Sequence, residues 1–216
     1  MKGIKAKSSF IITSVLVIGA SVLFISLRRD NKALPPAEYV KWVQNPDNGL
    51  NVSKQIKDVK FTVQYQPANY LVANKERDPY LKATVLNSEV GKYTDLEYYD
   101  IRLASAKTNQ DVLTLDLQNQ QDYYSREKYY SFGFENDIYM ISNNDTIPCA
   151  LFNYVPNYGI APYTDFMIAF TKSKNESKKA MYDHTIVIED KIFGNGILKF
   201  EIKKSDINKI PPIITY

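Results

Sequence analysis

The chain has 216 residues, among them 27 Lys and Arg, 24 Asp and Glu, one histidine, one cysteine and one tryptophan. Its length suits one domain or two small ones, and its 44% hydrophobic and 24% charged residues exclude a disordered, collagenous or coiled-coil chain. One cysteine excludes a disulfide framework and a thiolate zinc site, and one histidine excludes a multi-histidine metal centre. No cofactor and no metal is therefore predicted.

The net charge of +3 comes from the N-terminus alone. Residues 1–30 carry a balance of +4, whereas residues 31–216 carry 22 basic and 23 acidic side chains. A near-neutral domain produces no long-range field that would gather phosphate-rich partners. Nucleic acid is therefore excluded as a partner.

Ser9–Leu27 is a 19-residue run without a charge, which as a helix would span roughly 28 Å, close to the hydrocarbon thickness of a membrane. A cleavable signal peptide is the alternative, with Ile18–Ala20 at the cut. However, the apolar run continues beyond that point and stops abruptly at Arg28. Its length therefore favours an uncleaved anchor, so the membrane is a predicted partner through this segment.

The short N-terminal tail, with three lysines, favours an orientation in which the C-terminal part is exported. We therefore expect a single-pass protein of a bacterial inner membrane with its C-terminal domain in the periplasm. The predicted divisions are an anchor over residues 1–30, a linker over 31–36 and a β-rich domain over 37–216.

The exported part begins with helical spacing over Ala37–Gln44, which the turn residues Asn45–Gly49 end. Val59–Tyr65 then alternates apolar and polar side chains, as half-buried strands do, and Pro67 starts a brief helix through Val72. Further strands are predicted at Leu96–Leu103, Val112–Leu117, Asp137–Ser142, Ile147–Val155, Asp165–Thr171, Thr185–Glu189 and Ile197–Ile202.

Two turn sequences predict hairpins, Asn143–Asp145 and Phe193–Gly196. Short helices are expected at Ser125–Phe132 and around Asn175–Ala180. Strands separated by turns, without regular βα alternation, predict a mainly β fold, an antiparallel β-sandwich or open barrel with two or three short helices, preceded by one N-terminal transmembrane helix. The tail Asp206–Ile214 is expected to be extended, as a cover over a sheet edge or as a docking strand.

Single reactive side chains give weak signals. His184 could act as a general base with Asp183, but adjacent residues of a strand point to opposite faces, which favours a turn histidine without a catalytic role. Cys149 lies in an apolar run and is expected to be a core residue. Asp95, Glu97 and Asp100 could form a calcium site or a glycosidase pair, or could be a solvated strand face, which is the preferred interpretation.

Seventeen tyrosines are the most unusual feature of the composition. Six of them form adjacent pairs, which in strands would place one ring on each face of the sheet. Exposed tyrosines are typical of protein and glycan binding surfaces, although tyrosine also suits half-buried strands. The predicted binding residues are Tyr98, Tyr99, Tyr123, Tyr124, Tyr129 and Tyr130.

Three stretches carry a family resemblance: Glu38–Leu50, Phe61–Pro67 and Asp206–Pro211. In these the chain resembles uncharacterised envelope proteins of Bacteroidota-type bacteria, which implies a bacterial envelope setting and no catalytic residue. Similar proteins are often lipoproteins, and this chain has no cysteine near its apolar run. The leading hypothesis is a membrane-anchored, non-enzymatic protein that binds another envelope protein or a glycan, or is structural. The alternatives are a carboxylate-dependent enzyme acting on envelope glycans and an inhibitor or immunity-type protein.

Overall fold

Eight antiparallel strands dominate the computed structural model, which describes residues 32–157, 160–172 and 182–216. The strands are β1 Asn51–Ile56, β2 Val59–Gln66, β3 Leu96–Ser105, β4 Ile138–Ser142, β5 Asp145–Val155, β6 Tyr163–Thr171, β7 His184–Asp190 and β8 Gly196–Ile202. The helices of the described ranges are α1 Pro36–Gln44, α2 Ala68–Glu76, α3 Ala83–Val90, α4 Gln120–Phe132 and α5 Lys204–Ile207, besides short 3₁₀ turns.

The strands form one sheet in the order β1-β2-β3-β6-β5-β4-β7-β8, and every neighbouring pair is antiparallel. The two end strands, β1 and β8, approach one another, and Lys54 Nζ of β1 lies 5.6 Å from the ring centre of Phe200 of β8. The sheet is therefore a nearly closed barrel. This confirms the mainly β, antiparallel fold, with the open barrel as the form that it takes.

The barrel interior is packed with apolar side chains, because each strand alternates between an inward and an outward face. On β2 the buried residues are Val59, Phe61, Val63 and Tyr65, while the residues between them face outward. Aromatic rings fill the interior around Phe166 of β6, whose ring centre lies 4.9 Å from that of Phe134 and 5.3 Å from that of Tyr130 on α4.

The C-terminal tail contacts the chain just before α1 and just before α3. Leu34 forms a parallel bridge with Ile213, and the backbone N–H of Tyr216 donates to Leu81 O at 3.1 Å, just before α3. The tail thus packs against the domain, although it begins with the short helix α5 rather than as an extended chain. Asp206 of α5 lies so close to Gly49 (φ 77°) that a Cβ there would clash with its carboxyl.

Both predicted hairpins are confirmed. Asn143 and Asn144 have φ angles of 50° and 64° between β4 and β5, as a tight hairpin turn requires. β7 and β8 pair along their whole lengths. The predicted helices Ala37–Gln44 and Ser125–Phe132 are also confirmed, as parts of α1 and α4.

The strand predicted at Val112–Leu117 is wrong. A 3₁₀ turn occupies Val112–Thr114, and Asp116 has a φ of 54°. The Arg126 guanidinium on α4 donates to the backbone oxygens of Val112 at 2.6 Å and Leu115 at 2.7 Å. These carbonyls are therefore bonded to a helix side chain instead of a neighbouring strand.

Two predicted segments, the membrane anchor Ser9–Leu27 and the helix at Asn175–Ala180, lie outside the described residues. Within the described part of the chain, none of the helices has the length and apolar character needed to cross a membrane. β1, α3 and α5 were not predicted from the sequence. The number of helices in the described ranges also exceeds the two or three that were expected.

Candidate functional site

Polar side chains line the outer face of the sheet across β1, β2 and β3. The alternation of β2 sends Thr62, Gln64 and Gln66 outward. The strand register then places Gln64 between Asn51 of β1 and Asp100 of β3. A row of amide and carboxyl groups thus crosses three strands on the side of the sheet opposite to the core.

Helices α1 and α2 shelter this row. Gln44, the last residue of α1, donates from Nε2 to Tyr70 Oη of α2 at 3.0 Å, and Asn51 Nδ2 donates to Gln44 O at 3.4 Å. Together the helices and the sheet enclose a cavity of about 470 Å³, which we name the amide pocket. Its lining residues are Gln44, Asn51, Thr62, Gln64, Gln66, Tyr70, Asn74, Asp100 and Arg102.

The guanidinium of Arg102 is already engaged by protein groups. Its Nε and Nη2 atoms each donate to the Asp165 carboxylate at 2.7 Å, a two-bond ion pair. The guanidinium also lies 3.7 Å from the ring centre of Tyr163. Hydrogen bonding to Asp165 raises the pKa of Arg102. The ion pair therefore holds the Arg102 side chain in place on this side of the pocket.

Asp100 is the carboxyl that lines the amide pocket. Its pKa is raised to about 7, mainly by burial and then by the negative charge of Asp165, while the charge of Arg102 opposes the shift. Beside it, Gln64 Nε2 is buried and finds no acceptor among the described residues. The floor of the pocket thus holds a buried donor that finds no acceptor among the described residues, beside a half-buried carboxyl.

A second polar group, the interior polar cluster, lies inside the barrel and consists of Tyr65, Glu97, Tyr99 and His184. Tyr65 Oη donates to Glu97 Oε2 at 2.8 Å, and a hydrogen bond of 2.5 Å joins Tyr99 Oη to His184 Nδ1. His184 is fully buried, and burial lowers its pKa to about 4. The imidazole is therefore neutral at pH 7 and has no access to solvent.

The six predicted tyrosines do not form one surface. Tyr98, Tyr99 and Tyr130 are buried, with Tyr98 packed edge-on against Tyr93 at 5.6 Å. Tyr123 and Tyr129 are half-buried, and only Tyr124 is more than half exposed, at 51%. The idea that each pair straddles a strand holds for Tyr98–Tyr99 alone, because the other two pairs lie on α4.

The three acidic candidates are separated. Asp95 is exposed before β3 begins, Glu97 points into the barrel, and Asp100 points into the amide pocket. Residues 97 and 100 of one strand lie on opposite faces because their spacing is odd. Glu97 and Asp100 therefore cannot form a glycosidase pair in one cleft.

The single cysteine, Cys149, lies in an environment that does not activate its thiol. Cys149 is half-buried at a bulge of β5, its Sγ donates to Leu151 O at 3.0 Å, and burial raises its pKa to about 11. The thiol is thus protonated at neutral pH and unsuited to nucleophilic attack. Among the residues that the structure describes, no three His, Cys, Asp or Glu side chains are grouped to hold a metal ion.

Sequence reasoning missed the amides that line the pocket. Gln64 and Gln66 occupy outward positions of a strand that was correctly predicted, but outward polar residues are normally only hydrated. Gln44 and Asn74 come from two helices whose relation to the sheet no local pattern gives. Tyr123, one of the predicted binding residues, lines a second cavity of about 470 Å³ near Asp111 and Tyr154.

No protein-family model and no curated protein matches the chain. Two solved structures are similar to it at low identity. One is a DUF4426 family protein from Pseudomonas aeruginosa, at 14% identity and a TM-score of 0.33, covering 72% of this chain and 93% of that one. The other is a protein of unknown function from Burkholderia pseudomallei, at 12% identity and a TM-score of 0.37, covering 86% of this chain and 96% of that one.

Proposed function

We propose that this chain is a non-enzymatic binding protein of the bacterial cell envelope. Ser9–Leu27 holds it in the inner membrane, and the barrel domain in the periplasm binds a polar ligand in the amide pocket. The sequence resemblance to envelope proteins and the length of the apolar run support this location. The binding surface is thus the amide pocket instead of the tyrosine-rich surface.

The observation that carries the binding role is the buried NH₂ group of Gln64 beside the Asp100 carboxyl at the pocket floor. Gln64 Nε2 lacks an acceptor among the described residues, and the carboxyl of Asp100 beside it is half-buried. Burying such groups costs free energy, which a ligand that completes their hydrogen bonds would recover. The volume of the pocket, about 470 Å³, lies in the range of small-molecule sites.

A hydrolytic role receives less support. The raised pKa of Asp100 would suit a general acid, but a second free carboxylate is also needed. The nearby Asp165 carboxylate is occupied by two hydrogen bonds from Arg102 and does not line the pocket. The arrangement therefore favours binding over glycoside hydrolysis.

The test uses the full chain in polyoxyethylene detergent, mixed with the soluble material released from bacterial envelopes by mild digestion. A ligand that binds the folded state raises the melting temperature by mass action. We expect the extract to raise the melting temperature of the wild type and of Gln55→Leu, but not of Gln64→Leu. Gln55 is a matched control because it lies on the same outer face but outside the pocket.

An absent shift for the wild type, or an equal shift in Gln64→Leu, would contradict the proposal. Loss of ligand with release of a cleaved product would instead support the hydrolytic alternative.

A further inference from the structure

The hydrogen-bonding inventory of the amide pocket is dominated by groups that both donate and accept. Five of its lining side chains are carboxamides: Gln44, Asn51, Gln64, Gln66 and Asn74. Each carboxamide offers an NH₂ donor and a C=O acceptor, and Thr62 and Tyr70 add hydroxyl groups. A ligand that matches this set must itself carry many groups that donate and accept at close spacing.

The charges around the pocket disfavour ionic ligands. An anion would meet the carboxyl of Asp100, and the Arg102 guanidinium already binds Asp165 through two hydrogen bonds. An ammonium group finds Asp165 already bound by Arg102, and Asp100, whose pKa is raised to about 7, is partly protonated at neutral pH. Hydroxyl groups meet neither obstacle, since they can donate to a carboxylate or accept from a carboxylic acid.

The position of the pocket on the face of the sheet disfavours a peptide strand. Peptides that add to sheets bind along an edge, where backbone N–H and C=O groups are unpaired. β2 and β3 are each paired on both sides, so their backbone groups are committed. The backbone groups of these two strands are therefore not free to pair with a ligand in the pocket.

A groove between the two covering helices adjoins the pocket. A neighbouring cavity of about 330 Å³ is lined by Ala37, Val40 and Lys41 of α1, by Ala73 of α2 and, beyond the end of α2, by Arg77 and Asp78. Gln44 and Asn74 line both cavities, so the two spaces share a wall. A ligand longer than one unit can extend from the amides onto this more apolar surface.

Building on the proposed function, we propose that the ligand is a neutral oligosaccharide. One sugar unit places its hydroxyl groups between Gln64 and Asp100 in the amide pocket, and the next unit lies in the groove between α1 and α2. The carboxamides bind the hydroxyl groups, and the small apolar side chains of the groove contact the C–H face of the second sugar.

The test is isothermal titration of the full chain in polyoxyethylene detergent, which carries no sugar headgroup, with defined probes. The neutral probes are N-acetylglucosamine, N,N′-diacetylchitobiose, glucose and maltotriose. The competing classes are an ammonium group, an anion and a peptide. Their probes are Nα-acetyl-lysine methylamide, inorganic phosphate and tri-alanine. We expect at least one neutral oligosaccharide to bind, and at least tenfold weaker binding in Gln64→Leu with no change in Gln55→Leu.

The groove is tested with a pair of neighbouring substitutions on α1. Ala37→Trp fills the groove, whereas Glu38→Trp adds the same side chain at an exposed position that does not line it. The oligosaccharide should bind at least fivefold more tightly than its single sugar in the wild type and in Glu38→Trp. Ala37→Trp should abolish that advantage.

Binding of the lysine, phosphate or peptide probe with the same dependence on Gln64, and none of the sugars, would overturn the carbohydrate assignment and leave the binding function intact. The same holds if the envelope extract stabilises the protein through Gln64 while no neutral sugar competes. If the extract itself gives no Gln64-dependent stabilisation, the proposed function fails.

Discussion

The interior polar cluster and the amide pocket lie back to back on β3, and they treat buried polar groups in opposite ways. Inside the barrel, Glu97 and Tyr99 are hydrogen-bonded to Tyr65 and His184. Outside, Asp100 and Gln64 share a sheltered cavity without such partners among the described side chains. The two faces of β3 therefore differ in role: the inner face is structural, and the outer face carries the proposed binding site.

This difference explains why the type of side chain alone does not identify the candidate functional site. The only histidine and a buried glutamate form the more catalytic-looking group, yet His184 is fully buried and Glu97 is bonded to Tyr65 and paired with Lys172 at 3.9 Å. The pocket is built mostly from glutamine and asparagine, which carry no reactive group. Accessibility, rather than reactivity, distinguishes the candidate site.

The largest expected effect concerns His184 and acid. Burial holds its folded-state pKa at about 4, below the ordinary value of 6.5, so between these values the unfolded chain binds more protons. The stability is present above pH 6.5 and is lost as the pH falls toward 4. We expect a loss of about 3 kcal/mol across this window. Urea unfolding at a series of pH values measures it, and His184→Gln should flatten this part of the profile.

Acid stability that stays unchanged between pH 6.5 and 4 in the wild type, or that falls equally in His184→Gln, would show that His184 is not buried as a neutral group.

The second prediction concerns Tyr99, which is the hydrogen-bond partner of His184 in the interior polar cluster. Tyr99→Phe removes the phenol that is bonded to His184 Nδ1 and leaves a buried ring nitrogen without that partner. We expect a loss of about 2 kcal/mol in the free energy of unfolding. Ligand binding should be unchanged, because this side chain points to the opposite face from the pocket. A loss of binding at unchanged stability would reverse the roles of the two regions.

The third prediction concerns Asp100, whose pKa is shifted in the opposite direction to that of His184. The pKa of Asp100 is raised from 3.8 to about 7, so its contribution to stability is fully present below pH 3.8 and is lost as the pH rises through 7. Asp100→Asn should therefore stabilise the protein at pH 8, by about 1–2 kcal/mol after allowance for partial solvent exposure, and have little effect at pH 3.5. Ligand affinity should fall at least tenfold.

Asp95→Asn serves as the matched control, because Asp95 is exposed five residues earlier in the chain. It should change the free energy of unfolding by less than about 0.5 kcal/mol at either pH and leave binding unchanged. If Asp100→Asn destabilised the protein at pH 8 more than this control does, its carboxylate would be part of the structural scaffold.

The smallest expected effect on stability belongs to Gln64→Leu. Replacing a buried amide whose NH₂ group finds no acceptor among the described residues should change the free energy of unfolding by less than about 1 kcal/mol, and can stabilise the protein. Chemical unfolding of this variant beside Gln55→Leu measures the change. A loss above about 2 kcal/mol would mean that Gln64 supports the sheet rather than a ligand.

Much of the barrel could be predicted from the sequence, because strands such as β2 and β8 carry the alternation that burial on one face imposes. β1 was missed since its residues Asn51–Ile56 are largely polar and lie at a sheet end. α4 begins at Gln120, before the predicted helix Ser125–Phe132, so Tyr123–Tyr124 was left outside the prediction whereas Tyr129–Tyr130 was placed correctly.

The candidate site was predicted only through Asp100. Its other residues come from α1, β1, β2, β3 and α2, and their meeting depends on strand register and on helices that pack across the sheet. The stretches that carry the family resemblance contribute Gln44, Gln64 and Gln66 to the pocket. Local sequence patterns contain no information on such long-range contacts.

The central claim, that the amide pocket is the binding site, is tested most directly by the side-chain amide signals in ¹H–¹⁵N spectra of the full chain. Spectra are compared with and without the envelope extract. The account predicts shifts for the NH₂ groups of Gln44, Asn51, Gln64, Gln66 and Asn74, and none for Gln120 and Gln121 on α4. Shifts confined to Gln120 and Gln121, beside Tyr123 and Tyr124, would contradict it and return the binding role to the tyrosines.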